Sequence, residues 1–408
     1  MTEGREYLKD YTIRIANERQ MAQHREAAGA YWNHKLSPTE DFIKYYNREK
    51  YESEWGGDRV TIWQVGFPPD TSSLTLVKTD DIDGEGYAAC RTYRRKGWAK
   101  RPGHDGLKDG FVYGISSVVT PPQHYRRGYA TYMLSLLHLH LQPPSSIPSS
   151  LLPLKQDELV SGFKPGQADE LPVALGSWLM SDVGSTFYSK CSLQEGRKAW
   201  VVDDSQNSGL RWAIKPTTPD FDEDKVEWIY RSDIESLSKE LSTREKARLA
   251  EADVSKGAIW AEDPASTGAL AFLPVKSTWY DPSCAPHPVG VRIKTGTPAE
   301  DPIVLFLTSF FPIGFEFMVT LISKLTPEHL PLALQAFDKA ASDAGRERGF
   351  IWGMDPSSEI VEAWKNQPGR EVEVKKRAEA KGGLLGAVYY GEEGQEGRAL
   401  DGQMWHWL

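Results

Sequence analysis

Residues 116–141 read SSVVTPPQHYRRGYATYMLSLLHLHL. A β-branched strand reaches a proline-containing turn, then a loop carrying Arg127, Gly128 and Ala130, then an amphipathic helix. A helix that begins this way turns unpaired backbone N–H groups and the positive end of its dipole toward whatever lies before it. Such a terminus suits an anion, a diphosphate in particular. Gly128 lets the backbone approach a ligand closely, and the small Ala130 leaves the first turn uncrowded. Ala130, Met133, Leu134, Leu137 and Leu141 recur at the helical spacing and predict one buried stripe. Local chemistry also fits a plainer reading, an ordinary strand, turn and helix with a solvent-exposed basic turn.

A second informative segment lies downstream. Residues 172–193, PVALGSWLMSDVGSTFYSKCSL, read as a strand, a turn and a short helix. The first segment resembles the acetyl-CoA-binding motif of the GCN5-related N-acetyltransferase superfamily, Arg/Gln-x-x-Gly-x-Gly/Ala. Gly128 and Ala130 match its last two fixed positions and Arg127 its basic position, while Tyr125 stands where the family has Arg or Gln. The second segment resembles the superfamily's later motif, a strand followed by Phe-Tyr-x-Lys-x-Gly-Phe. Phe187, Tyr188 and Lys190 match it, and Ser192 and Leu193 replace its Gly-Phe.

The resemblance implies an α/β (α+β) fold over roughly residues 8–205, a mixed sheet flanked by helices, with acetyl-CoA as co-substrate and no metal. It implies that Tyr125, Arg126, Arg127, Gly128, Tyr129, Ala130 and Thr131 hold the coenzyme diphosphate, and that Val118 and Val119 lie beside the pantetheine and thioester. Their side chains also read as sheet core. It further implies that Tyr188 protonates the departing thiolate. A phenol with an ordinary pKa of ~10 is a sensible donor, although a core tyrosine with a satisfied hydroxyl fits the same position. Attack by a side-chain amine of pKa ~10.4 needs a base or a desolvating pocket to remove its proton. Asp182, after the fifth strand, is the candidate, with a helix-starting turn carboxylate as the plainer reading. Arg91, Arg94 and Arg95 end the third strand. Arg94 is the candidate for binding an acceptor carboxylate, against a plain surface-strand charge.

Composition bounds the function. At 408 residues the chain has room for two or three domains. A net charge of −9 argues against nonspecific nucleic-acid binding and is compatible with a cationic amine. The 14 tryptophans, Trp55, Trp63, Trp98 and Trp178 among them, read as core packing or as a cleft lining. Three widely spaced cysteines form neither a disulfide framework nor a metal site. With a charged N-terminus that lacks a signal peptide's apolar core, they predict a cytoplasmic protein. No run reaches the ~20 apolar residues of a membrane span, since Pro312, Gly314 and Glu316 interrupt the stretch at 304–322.

The pattern predicts a boundary that gives domains 1–215 and 216–408, with a Pro/Ser-rich insertion at 143–170. In the first half, strands are expected at 11–16, 59–65, 86–95, 110–119, 172–180 and 199–202, and helices at 17–35, 39–53 and 184–191. In the second, charged helices are expected over 226–252, strands at GAIWAE, ALAFLPV, VGVRIK and the 303–322 pair, a long helix after Thr326, strand FIWGM, helix SEIVEAWKN and strand LLGAVYY. This order echoes the end of the first domain, so the second half reads as a degenerate copy or as an unrelated α+β domain that shapes the acceptor pocket. The join at Thr326, Pro327 and Glu328 lacks the glycine loop, which leaves one active site per chain.

The two-part layout is similar to that of the fungal lysine N6-acetyltransferases, which implies acetyl transfer to the side-chain amine of free L-lysine in lysine catabolism. A protein or peptide N-acetyltransferase, and a non-catalytic acetyl-CoA-binding protein suggested by Tyr125 and Ser192, are the other readings.

Overall fold

The computed structural model describes residues 6–32, 71–81, 83–152, 154, 174–217, 220–266, 268–309, 316–391 and 396–407. The helix expected at 39–53, the strand at 59–65, Trp55, Trp63 and residues 155–170 of the insertion lie outside them. Two compact units result: residues 1–202, 249–262 and 379–400 form the first, and 203–248, 263–378 and 401–408 the second. A single cut at 215/216 does not describe this division, because strands late in the sequence hydrogen-bond into the first sheet.

The early part of the chain provides β1 (Tyr11–Ile15), α1 (Glu18–Trp32), β2 (Thr71–Lys78), β3 (Ala88–Lys100), β4 (Leu107–Val119), α2 (Tyr129–Leu141), β5 (Ala174–Val183) and β6 (Val201–Val202). Helix α1 opens on a capping box: the Asn17 side chain accepts the Gln20 N–H at 3.0 Å, and the Gln20 side chain accepts the Asn17 N–H at 3.0 Å. β2 carries no sequence signal of a strand, because Leu74, Thr75, Leu76 and Val77 are all buried and show no alternation. Helix α2 shows more than the expected stripe, being buried on every side from Tyr132 to Leu141. Its polar members are covered too, and His138 meets the Tyr390 hydroxyl at 3.2 Å and packs on Trp200. The helix expected at 184–191 is a single 3-10 turn, Tyr188–Lys190.

The rest of the chain provides β7 (Ser208–Ala213), β8 (Val226–Ile229), α3 (Ile234–Glu251), β9 (Ala258–Glu262), α4 (Phe272–Tyr280), β10 (Gly290–Ile293), β11 (Ile303–Leu307), β12 (Phe317–Ser323), α5 (Leu330–Asp343), β13 (Arg348–Trp352), α6 (Glu359–Lys365), β14 (Glu373–Lys376), β15 (Ala380–Tyr389) and β16 (Gly397–Ala399). Two expectations fail. VEWI at 226–229 is a strand paired with β10 rather than the start of a helix, because Val226 and Ile229 are buried in the sheet. ALAFLPV turns helical from Phe272, with Pro274 in the first turn, where its missing N–H costs nothing.

In the first sheet β1, β2, β3 and β4 are successively antiparallel, α2 crosses over to a parallel β5, and β15 then pairs antiparallel with β5. In the second, β8, β10, β11 and β12 are successively antiparallel, α5 crosses over to a parallel β13, and β7 pairs antiparallel with β13. The second half therefore repeats the strand plan of the first. In each sheet the strand beyond the parallel pair comes from a distant stretch of chain. LLGAVYY, expected to close the second half, lies in the first sheet as β15, and GAIWAE joins it as β9 against β3.

Candidate active site

The site forms where β4 and β5 part. Their parallel pairing runs from Phe111 opposite Ala174 to Ile115 opposite Leu179 and stops there, although β4 continues to Val119 and β5 to Val183. On its other edge β4 carries a bulge: Arg91 faces Ser116 and Ala89 faces Val119, so Ser117 and Val118 together oppose Cys90. Ser117 adopts φ 52°, a left-handed conformation that costs a non-glycine residue about 1–2 kcal/mol. The bulge sits just beyond the last β4–β5 pair, Ile115 opposite Leu179. Among the described residues, no strand pairs with the edge of Ser116–Val119 that faces the opening.

The chain leaves β4 at Val119 through the loop into α2. Arg126 at φ 63° and Gly128 at φ 83° are both left-handed, and Gly128 caps the helix without any side-chain cap bond. Among the described residues, the N–H groups of Arg126, Arg127, Gly128, Tyr129, Ala130 and Thr131 meet no backbone acceptor; the first helical bond is Tyr132 N–H to Gly128 C=O at 3.0 Å. Tyr125, Arg126 and Arg127 are exposed, so two guanidinium groups border these amides. The loop is braced from behind. The Tyr7 hydroxyl donates to the Arg127 carbonyl, the Tyr11 and Tyr129 hydroxyls meet at 3.0 Å, and His124 lies 2.9 Å from Glu85. Open amides at a helix N-terminus beside two guanidinium groups suit an anion.

Tyr188 follows β5 and is buried, and no described residue hydrogen-bonds its hydroxyl. Burial, reinforced by Cys191, Asp182 and Cys90, raises its pKa well above that of an ordinary phenol. Cys90 is the residue opposite the bulge, so Tyr188 and the bulge share one neighbour. Asp182 lies within β5 rather than in a turn after it, half-buried, and accepts the Gly383 N–H at 3.1 Å. Arg94 sits in the middle of β3 rather than at its end, with its guanidinium 5.0 Å from the Phe111 ring centroid. It lies four positions along the strand from Cys90, roughly 13 Å. Arg95 is ion-paired with the buried Glu262, and Arg91 is buried. Val118 is half-buried and Val119 buried, both against the α2 core or the sheet, as their side chains suggest.

One residue of this region escapes sequence reasoning altogether. His24 of α1, four residues after the capping Gln20, places Nε2 2.9 Å from the Ser117 carbonyl oxygen. A lone histidine in a charged helix carries no signal of such a partner.

The second unit has the counterpart of the opening, and it is closed. β12 pairs with β13 only as far as Val319 opposite Ile351, with a register shift against β11 beside it. Beyond that point the Gln403 carboxamide takes both backbone groups of Ile322, its oxygen accepting the N–H at 2.6 Å and its nitrogen donating to the C=O at 3.4 Å. At the start of α5, the N–H groups of His329 and Leu330 both donate to Thr326 C=O at 3.1 Å. The amides left open before α2 are spent there. Among the described residues no group of His, Cys, Asp and Glu side chains is placed to hold a metal ion, and no helix is long and apolar enough to cross a membrane.

No family model and no curated protein matches the sequence. Among solved structures, the chain is similar to a GCN5-related N-acetyltransferase from Anabaena variabilis ATCC 29413 at 10% identity and TM-score 0.47, covering 93% of this chain and 73% of that one. It is similar to a probable N-acyltransferase from Enterococcus faecalis V583 at 11% identity and TM-score 0.46, covering 93% and 73%. It is also similar to a GCN5-related N-acetyltransferase from Kribbella flavida at 12% identity and TM-score 0.44, covering 93% and 71%.

Proposed function

We propose that the first unit is an acetyl-CoA-dependent N-acetyltransferase of the GCN5-related type, and that its acceptor is the side-chain amine of free L-lysine. The observation that carries the transferase reading is the opening between β4 and β5 at the Ser117–Val118 bulge, followed in the chain by the unpartnered amides of residues 126–131. Bound acetyl-CoA supplies an activated acetyl group.

The chain's own residues supply the rest. The loop amides, bordered by Arg126 and Arg127, hold the diphosphate. The free edge of β4 at Val118 and Val119 offers backbone partners to an extended, amide-bearing arm, as a strand would. An N–H on that edge donates to the thioester oxygen, where negative charge grows during attack. Tyr188 donates the proton that the departing thiolate needs. Asp182 takes the proton of the incoming amine, which must be shed before attack because its pKa is ~10.4. The lysine assignment rests on the likeness of both motifs and the two-part layout to the fungal lysine N6-acetyltransferases.

Thiol release from acetyl-CoA, measured against a panel of free amino acids, polyamines and lysine-containing peptides, tests both parts. Release with free lysine above every other acceptor is expected. Release with a peptide but not with lysine would replace the acceptor, and no release with any amine, despite coenzyme binding, would leave a binding protein only.

A further inference from the structure

The Ser117–Val118 peptide at the bulge is gripped from one face of the sheet. Cys90 and Arg91 are neighbours on β3, so their side chains point to opposite faces. Cys90 belongs to the core shared with α2 and Tyr188. Arg91 lies on the other face with His24 of α1 and adds to the forces that keep that imidazole uncharged. Burial is the larger of them, and together they lower His24 to about 3. A carbonyl oxygen can only accept, so the neutral ring must carry its proton on Nε2 and donate it to Ser117 C=O across 2.9 Å.

The consequence follows from peptide geometry. In a planar trans peptide the C=O of Ser117 and the N–H of Val118 point in opposite directions. A carbonyl drawn toward His24 on the α1 face therefore sends the Val118 N–H toward the face of α2 and Tyr188. We propose that His24 is a positioning residue: by holding Ser117 C=O, it aims the Val118 N–H into the opening as the donor to the acyl carbonyl. This rests on the transferase reading above. The hydrogen bond to the carbonyl also polarises the peptide and strengthens its N–H as a donor. His24 is anchored for the task, since the Asn17–Gln20 capping box sets the start of α1 and Gln20 Nε2 donates to Gly84 C=O at 3.0 Å. It compensates a local cost as well, because nothing in the sequence of Ser117 favours φ 52°.

The test compares His24→Leu, which removes the donor, with His24→Gln, which keeps an N–H at similar reach. His24→Leu is expected to lower kcat about 10–100-fold, less than the roughly 100–1000-fold cost of deleting such a donor outright, because the Val118 N–H remains and only its aim is lost. KM for acetyl-CoA is expected to move by less than about threefold, the mark of an interaction made in the transition state. His24→Gln is expected to recover most of kcat. A second readout does not depend on turnover: the 13C resonance of the ketone carbonyl in an acetyl-CoA analogue with methylene in place of sulfur. It should shift downfield when bound to the wild type and His24→Gln, and less in His24→Leu. If His24→Leu does not fold, His24→Asn, whose side chain falls short of the carbonyl, takes its place. Unchanged kcat in the donor-free variant, or equal losses in both variants with an unmoved resonance, would overturn the positioning role and leave the transferase reading intact. A wild-type chain that neither releases thiol nor binds the ketone analogue would overturn the transferase reading, and the positioning role with it.

Discussion

Tyr188 is kept protonated by its surroundings, and the same surroundings act on thiols. Burial pushes Cys90 and Cys191 up to about 12, while Tyr188 is raised by burial with those two cysteines and Asp182 beside it. Burial acts on a thiol and on the phenol in the same direction, so both stay protonated at neutral pH. Tyr188→Phe is expected to lower kcat about 100-fold, the lower end of the range for a general acid. Coenzyme A affinity and unfolding temperature should change little, because no described residue depends on the hydroxyl. The sign of the pKa shift adds a constraint. A group raised above the phenol value stays protonated throughout the neutral and mildly alkaline range, so Tyr188 contributes no loss of rate below about pH 10. Steady-state rates from pH 6 to 10 check this, and an alkaline decline near pH 8 that disappears in Tyr188→Phe would defeat the assignment.

At the level of elements, the parallel pair and its crossover helix are what the sequence makes legible. The β-branched run, the Pro-Pro turn and the apolar period of α2 mark β4, the loop and the helix by local chemistry, and Phe187–Tyr188 stands at a readable distance after β5. What stays hidden are features that only tertiary pairing creates. The bulge is a mismatch between two strands, and neither Ser117 nor Cys90 announces it. Buried strands such as β2 lose the alternation that would reveal them, and the helical start of α4 hides behind an apolar run that reads equally as strand. The closed opening in the second unit belongs to the same class, since Gln403 meets Ile322 across 81 residues of sequence. Gln403→Leu removes both partners of the Ile322 backbone. It is expected to destabilise the second unit by about 1 kcal/mol, the low end of the cost of unsatisfied backbone groups, because Ile322 is half-buried. It should not add a coenzyme site, because the N–H groups before α5 remain bonded to Thr326. Chemical denaturation gives the first quantity and calorimetric titration with acetyl-CoA the second, and a stoichiometry rising from one toward two would contradict the account of the closed slot.

For the whole molecule, chain order and spatial order part at β15. A reading that cuts the sequence at 215 gives the first sheet every strand up to β6 and withholds the one that lies between β5 and β6. Seven residues of β15 are in register with β5, and Gly386 fits where a side chain would press on Leu179 and Trp200, 3.4 Å from each. Leu384, Leu385, Val388, Tyr389 and Tyr390 are all buried in this unit. At about 1.5–3 kcal/mol for each buried side chain their loss amounts to roughly 8–15 kcal/mol, against a total stability of about 5–15 kcal/mol for a typical domain. A fragment of residues 1–215 is therefore expected not to fold into a coenzyme-binding unit, even though it holds both recognisable motifs. The same fragment joined through a flexible linker to Glu379–Leu400 is expected to regain a cooperative thermal transition and acetyl-CoA binding, because that segment restores the partner of β5 and the cover over Trp200. A cooperative melt and full coenzyme affinity in the 1–215 fragment alone would mean that β15 is an accessory strand, and that the unit is complete where its motifs end.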